Sequence, residues 1–267
     1  RRHPGNPPHA HRPGNLQADR MNLQFEPIVA EPTYRKVATA LVDHIVAGRL
    51  RSGDHLPPEL ELARQFGVNR STVREALREL DSAGLIGRRR GSKRMMVTRP
   101  GPLKVGAGVR RALVLHDVTF VDVWEALMIL EPPLAAAAAT RRSPADLERL
   151  QLAYHSVRAE PEAAPTVQHV AEFFRALGEA SGNTALVLAH EPLIQLLEPS
   201  LAAMIDKVAQ ARSRIIDAQR RLCAAVEAQD ADGAQTWMSK HIRDFRRGYE
   251  LAGINLDHTV VRAATPA

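Results

Sequence analysis

Leu56-Pro57-Pro58-Glu59-Leu60-Glu61-Leu62-Ala63-Arg64-Gln65-Phe66-Gly67-Val68-Asn69-Arg70-Ser71-Thr72-Val73-Arg74-Glu75-Ala76-Leu77-Arg78-Glu79-Leu80 decides the fold of the first third of this chain. It predicts two short amphipathic helices joined by a tight turn. Pro57-Pro58 sets up the first helix, whose core side is Leu62, Ala63 and Phe66. Gly67 closes it, since glycine takes the left-handed conformation that ends a helix at no steric cost, and Val68 plugs the turn. Asn69 is placed to cap the second helix, with Thr72 at its third position. Val73, Ala76, Leu77 and Leu80 then recur at the spacing of one buried face. The open start of that helix carries a dense set of polar side chains. This is the layout of a helix-turn-helix whose second helix suits a DNA groove.

Upstream, Thr33 is a candidate cap for a helix with Val37, Leu41, Ile45 and Val46 on its apolar face, ending near Gly48. Downstream, Ser82-Ala83-Gly84 stops the second helix of the motif, and Leu85-Ile86 and Met95-Met96-Val97 read as short strands. Between them lies a basic turn, Gly87-Arg88-Arg89-Arg90-Gly91-Ser92-Lys93-Arg94. Three helices and a two-stranded hairpin make a winged helix, expected over residues 27–99. Residues 1–26 are rich in Pro, Gly, His and Arg with little to bury, and are expected to be a disordered arm. Met21 is a candidate native start within that arm. Pro100 to Gly108 holds two prolines and three glycines, so 100–116 reads as a linker.

From 117 to 252 the periodicity is helical throughout. The expected helices are Val118–Thr140, Pro144–Arg158, Thr166–Ala180, Thr184–Val208, Ala209–Ala228 and Ala231–Leu251, with Ser143 and Asp230 at N-caps. Residues 253–267 read as a tail. The expected fold class is therefore mainly α: an N-terminal winged helix-turn-helix joined to an all-α helical bundle that serves sensing and dimerisation.

Composition sets the outer bounds. A chain of 267 residues fits two domains, each able to bury a core. The net charge of +6 points toward a polyanionic partner. A single cysteine, Cys223, excludes an internal disulfide framework and agrees with a reducing cytoplasm. No apolar run approaches the ~18 residues of a membrane span, and Arg1 to Arg20 lack the apolar core of a secretory signal. Cytoplasmic localisation follows. The chain has no Gly-rich phosphate loop, nucleophile elbow or ligand-spaced His/Glu helix motif, which argues against an enzyme. Cys223 sits between Leu222 and Ala224 in a helical stretch and reads as core rather than nucleophile. No cofactor is expected.

A DNA duplex offers base edges to side chains on the first turn of a helix laid in its major groove. Arg70 and Arg74 lie one turn apart on one face of the second motif helix. Arg70 is the better match to a guanine, whose two acceptors fit the guanidinium fork. Ser71, Thr72 and the helix N-terminal amides suit phosphates. Arg88, Arg89, Arg90, Lys93 and Arg94 carry charge for the DNA backbone, and Gly91 would let the wing tip approach the minor groove. The bland alternative is a solvated face in which these arginines pair with acidic neighbours on their own helix. The order of turn, capped polar helix start and basic hairpin favours DNA.

Tyr34 to Val97 closely resembles the N-terminal domain of the GntR family of bacterial transcription regulators. The resemblance is carried by Ile45 through Leu50, Gly53 through Pro57, Glu59, Val68 through Leu77 and Leu80 through Ile86. It implies that Asn69, Arg70, Ser71, Thr72, Arg74 and the wing positions Arg90 and Gly91 touch operator DNA. One departure stands out: the family usually has arginine after Glu59, often as a base contact, and this chain has Leu60. A different base preference is expected there.

Asp117 to Tyr249 resembles, more loosely, the all-helical ligand-sensing domain of the FadR-type branch. The signs are Glu125-Ala126 with Glu131-Pro132, Ala136 to Arg141, Ser181-Gly182-Asn183 and the segment from Asp230 to His241-Ile242. Many members hold a divalent metal with an aspartate and three histidines, and bind a small carboxylate with an arginine. The resemblance puts Val170 at the aspartate, Phe174 and Gln219 at two histidines, His241 at the third and Leu127 at the arginine. A zinc-like ion wants about four N, S or O ligands, so no metal is expected. Leu127, Val170 and Phe174 instead predict an apolar pocket, with Gln219 and His241 as polar handles. Such a pocket suits a fatty acid, an acyl-CoA or another lipid-like effector. The alternative is a cavity filled by side chains in a domain that only dimerises.

Together these readings give a homodimeric repressor on a pseudo-palindromic operator. The rivals are an activator, a metal-dependent sensor of a small carboxylate and a DNA-binding dimer with no effector.

Overall fold

The computed structural model describes residues 31–89, 91 and 94–260. The expected arm 1–26 and the end of the tail, 261–267, lie outside them, as do Arg90 and Lys93 of the wing. The first unit is built from α1 (Thr33–Val46), α2 (Glu59–Phe66), α3 (Arg70–Ala83), β1 (Ile86–Arg88) and β2 (Met95–Val97). Pro32, rather than the expected Thr33, occupies the N-cap of α1. Gly67 and Gly84 close α2 and α3 with φ of 65° and 80°, where a side chain would be strained. The strands pair antiparallel with Ile86 opposite Val97. Leu56 donates its N–H to Met95 O at 2.9 Å, which pins the chain before α2 to the hairpin. Val37, Leu41, Leu56, Leu62, Val73, Leu77, Leu80 and Val97 form one buried cluster. This is a winged helix.

Seven further helices follow among the described residues: α4 (Pro102–Leu115), α5 (Phe120–Arg141), α6 (Pro144–Ala159), α7 (Ala163–Ala180), α8 (Thr184–Lys207), α9 (Ala211–Glu227) and α10 (Ala231–Leu251). The molecule is mainly α-helical. Capping boxes start α5 and α6: the Thr119 and Ser143 hydroxyls accept from the amides of Asp122 and Asp146, whose carboxylates bind back. Those hydrogen bonds hold both aspartates below the usual carboxylate range. Asp230 caps α10 by accepting from Gly233 N. The core of the bundle gathers Phe120, Leu134, Phe173, Leu177, Leu222 and Met238 from four helices.

Two expectations need correction. The stretch 100–116 is not an irregular linker, because α4 occupies most of it. Pro102 is tolerated in the first turn, where no intrahelical donor is lost. Gly106 lets α4 lie close on α8, since a Cβ there would come within 2.7 Å of Glu191 Cγ. Nor is all of 253–267 a loose tail. Phe120 and Val121 donate to the carbonyls of His258 and Leu256, Val260 donates to Val118 O, and Val260 is buried. The segment packs on the start of α5 because its apolar residues finish the core there. Among the described residues no helix is long and apolar enough to cross a membrane.

Candidate nucleic-acid interface and effector cavity

The start of α3 presents Asn69, Arg70, Ser71 and Arg74 to solvent, with Thr72 half-buried. Asn69 occupies the N-cap, but its side chain makes no cap hydrogen bond and is left to other partners. Val73, Ala76, Leu77 and Leu80 anchor the opposite face, which fixes the direction the polar side chains face. Arg74 does not pair with an acidic neighbour on its own helix. Its guanidinium donates to Glu59 Oε2 of α2 at 3.1 Å, and Arg70 lies 3.8 Å from the same oxygen. Arg70 and Arg74 remain 59% and 52% exposed, so solvent screens the cluster and a competing anion can displace the carboxylate at little cost. Leu60, next to Glu59, is exposed as well.

The wing rises beside this face. Arg88 and Arg89 are exposed, and Arg88 Nε lies 3.3 Å from the Met95 sulfur across the hairpin. Gly91 has a φ of +84° at the turn, a conformation side chains resist. Arg74, Arg88 and Glu59 border one shallow surface concavity between α3 and the hairpin, so the start of α3 and the wing form a continuous surface.

A partly open cavity of about 70 Å³ lies among α5, α7, α8 and α10. Four of the five residues expected around an effector line it: Leu127, Val170, Phe174 and His241. Gln219 does not. It is fully buried on α9, and neither its amide oxygen nor its nitrogen has a hydrogen-bond partner. Phe174 stacks on the His241 ring with centroids 5.4 Å apart and planes 19° from parallel. Burial costs the imidazolium its hydration and pushes the His241 pKa down to about 4, with Asp244 opposing weakly. A larger cavity of about 280 Å³ lies on the other side of His241, bordered by Met204, Arg214 and Asp244.

A divalent ion does not fit the positions expected to carry it. Val170 and Phe174 offer no donor atom, and the His241 ring is stacked on an aromatic neighbour. Among the described residues no three His, Cys, Asp or Glu side chains gather as a ligand set. The Cys223 thiol is buried, and the loss of hydration pushes its pKa up to about 12.

Residue reasoning missed the polar groups that do border the cavity, Glu131 and Glu198. Glu131 is 3% exposed, and its Oε1 lies 2.9 Å from His190 Nδ1. Gly178 of α7 gives the His190 ring its space, as a Cβ there would sit 2.7 Å from Nε2. Arg175 of α7 binds Glu191 through two nitrogens and Glu198 through Nη2 at 2.8 Å. Burial alone lowers the Arg175 pKa, and the hydrogen bonds and attraction from Glu191 and Glu198 outweigh it, so the guanidinium is held above its ordinary value. Glu131-Pro132 was the one sequence signal for this cluster. Its partner His190 stands 59 residues away.

The model of bacterial regulatory proteins of the gntR family matches residues 33–93, and that of the FCD domain matches residues 122–244. A relative from Escherichia coli K12, named for regulation of the L-lactate dehydrogenase operon, is 31% identical over 210 residues. That match covers 76% of this chain and 80% of the relative. An uncharacterized HTH-type transcriptional regulator of Mycobacterium tuberculosis is 33% identical over 169 residues, covering 62% of this chain and 69% of its own. Among solved structures, a Streptococcus agalactiae GntR protein superposes with a TM-score of 0.54 at 25% identity. It covers 80% of this chain and 99% of that protein.

Proposed function

The chain belongs to the gntR family of DNA-binding transcriptional regulators and carries an FCD domain, and from that premise we propose a homodimeric repressor of the FadR-type branch. It reads a pseudo-palindromic operator and releases it when an apolar effector fills the bundle cavity. The observation that carries the DNA reading is the exposed pair Arg70 and Arg74 at the start of α3, held by Glu59 beside a basic wing. On the operator, base edges and phosphates replace the Glu59 carboxylate. Asn69, Ser71 and Thr72 complete the helix contacts, and Arg88, Arg89, Arg90, Gly91 and Lys93 grip the backbone from the wing. A two-fold dimer sets two such surfaces on symmetric half-sites.

The effector reading rests on the cavity lined by Leu127, Val170 and Phe174. Its route to the DNA is short. Glu198 borders the cavity, Arg175 ties Glu198 to Glu191, and Glu191 packs on Gly106 of α4. At the other end of the path, Lys104 of α4 donates to Asp81 O of α3 at 2.8 Å.

The test begins by selecting an operator from random duplex DNA and measuring affinity by fluorescence anisotropy against salt. The Arg70→Ala/Arg74→Ala double variant should lose the selected sequence while keeping its helical content. Retained tight, sequence-selective binding would sink the assignment of α3 as the reading helix. Sedimentation of the free protein and of the operator complex tests the dimer: a single protomer on the full operator overturns it.

A further inference from the structure

Among the described residues the polar groups on the wall of the bundle cavity are two glutamates and one imidazole, and this decides what kind of head group can enter. The wall is otherwise apolar, built from residues such as Val167, Phe174, Ile194 and Met238. Its polar members are Glu131, Glu198 and His241. Glu198 is already held by Arg175. Glu131 is different: Oε1 is paired with His190 Nδ1, while Oε2 is buried with no hydrogen-bond partner. A buried acceptor without a donor is costly, so a molecule that supplies one gains more than it would at the surface. Among the described residues no lysine or arginine lines this cavity. Arg214 borders the adjoining cavity beyond His241, where it lies 3.6 Å from Asp244. A carboxylate entering the bundle cavity would meet the acceptor oxygens of two glutamates, while the nearest guanidinium, Arg175, is already shared between Glu191 and Glu198.

Size narrows the class further. The cavity of about 70 Å³ is roughly half the ~150 Å³ of an apolar cavity that accepts benzene. It holds a handful of heavy atoms, not an extended acyl chain.

We propose that the effector is a small molecule with an apolar body and a hydrogen-bond-donating head, an amine or a hydroxyl, which donates to Glu131 Oε2. This deepens the effector reading above and depends on the cavity being the sensing site. Glu131 is then a specificity-determining residue. It selects donors and turns away acids.

The experiment is a thermal-shift titration of the full chain with one carbon skeleton bearing three heads: isobutylamine, isobutanol and isobutyrate, with octanoate as the long acid. The amine and the alcohol should raise the bundle's Tm saturably, by roughly 3–6 °C at about ten times Kd, and the acids should not. Glu131→Gln should abolish the preference for amine over acid. Val170→Phe, which fills the cavity and keeps Glu131, should abolish all response, and it carries the test if Glu131→Gln does not fold. Stabilisation by isobutyrate or octanoate equal to that by the amine overturns the head-group assignment but leaves the cavity as the sensor. Amine stabilisation that survives Val170→Phe places binding elsewhere and overturns the proposal. Silence from all four probes overturns both the proposal and the effector reading.

Discussion

The reading face of α3 and the wall of the bundle cavity use charge in opposite ways. Arg70 and Arg74 share Glu59 in the open, where water screens the cluster and a partner can be exchanged cheaply. Glu131 and His190 meet under nearly complete burial, and Arg175 sits between Glu191 and Glu198 with little solvent. There each group is fixed by its partner, and breaking one contact leaves another stranded. The DNA face therefore separates function from stability, since its working side chains hang off a helix whose other face does the packing. The bundle cannot separate them. Its candidate sensor residues are also its core.

The sharpest way to break that comparison is a pair of substitutions read by two assays. Phe173→Ala, in the middle of α7 and fully buried, should cost the bundle about 3–5 kcal/mol in chemical denaturation. Loss of less than about 1 kcal/mol would mean the core there is loosely packed and the two regions are not so different. Arg74→Ala should weaken operator binding by about 1–3 kcal/mol and shift unfolding by less than about 0.5 kcal/mol. A large stability loss instead would make the Glu59 cluster structural.

Acid titration sharpens the same contrast. Burial depresses the folded His241 pKa to about 4, from the 6.5 of a solvated imidazole. Above pH 6.5 the ring is neutral in both states and contributes nothing. Between 6.5 and 4 the unfolded chain takes up a proton that the folded chain refuses, so stability falls as pH falls. The loss should reach about 2 kcal/mol by pH 5, and His241→Phe should flatten that part of the profile. An unchanged slope in the variant would show that His241 titrates in the folded protein as it does in the unfolded chain, hence hydrated. The smallest effect is local: Ser143→Ala removes one half of the α6 capping box and should cost about 1 kcal/mol in thermal unfolding. Its partner box at Thr119 offers the matching control, with the same geometry at the start of α5.

Much of this architecture is legible without coordinates. The winged helix can be read because its signals are local: glycines at helix ends, an apolar stripe on α3 and a basic turn between two short strands. The six helices from α5 to α10 can be read from their 3.6-residue period, with ends displaced by a few residues at most. The capping box at Thr119 is also a local signal, in its spacing to Asp122, but the apolar period alone runs back to Val118 and hides it. Four of the five expected cavity residues do line one cavity, because they sit on helices whose packing follows that period.

The sequence by itself determined which segments outside 102–115 are helical, where α3 is capped and closed, and which of its side chains face solvent. Those are matters of backbone conformation and of one face against another, set by neighbours a few positions apart. Tertiary structure decided the rest. It made a helix of the proline- and glycine-bearing 102–115, because contact with α8 offsets poor intrinsic propensity. It left Gln219 off the cavity wall, and docked Val260 beside α5. It also brought His190 to Glu131 and Arg175 to Glu191 and Glu198, pairings that exist only once the helices have packed. No periodicity records which turn of one helix will face which turn of another, and the character of the cavity depends on that choice.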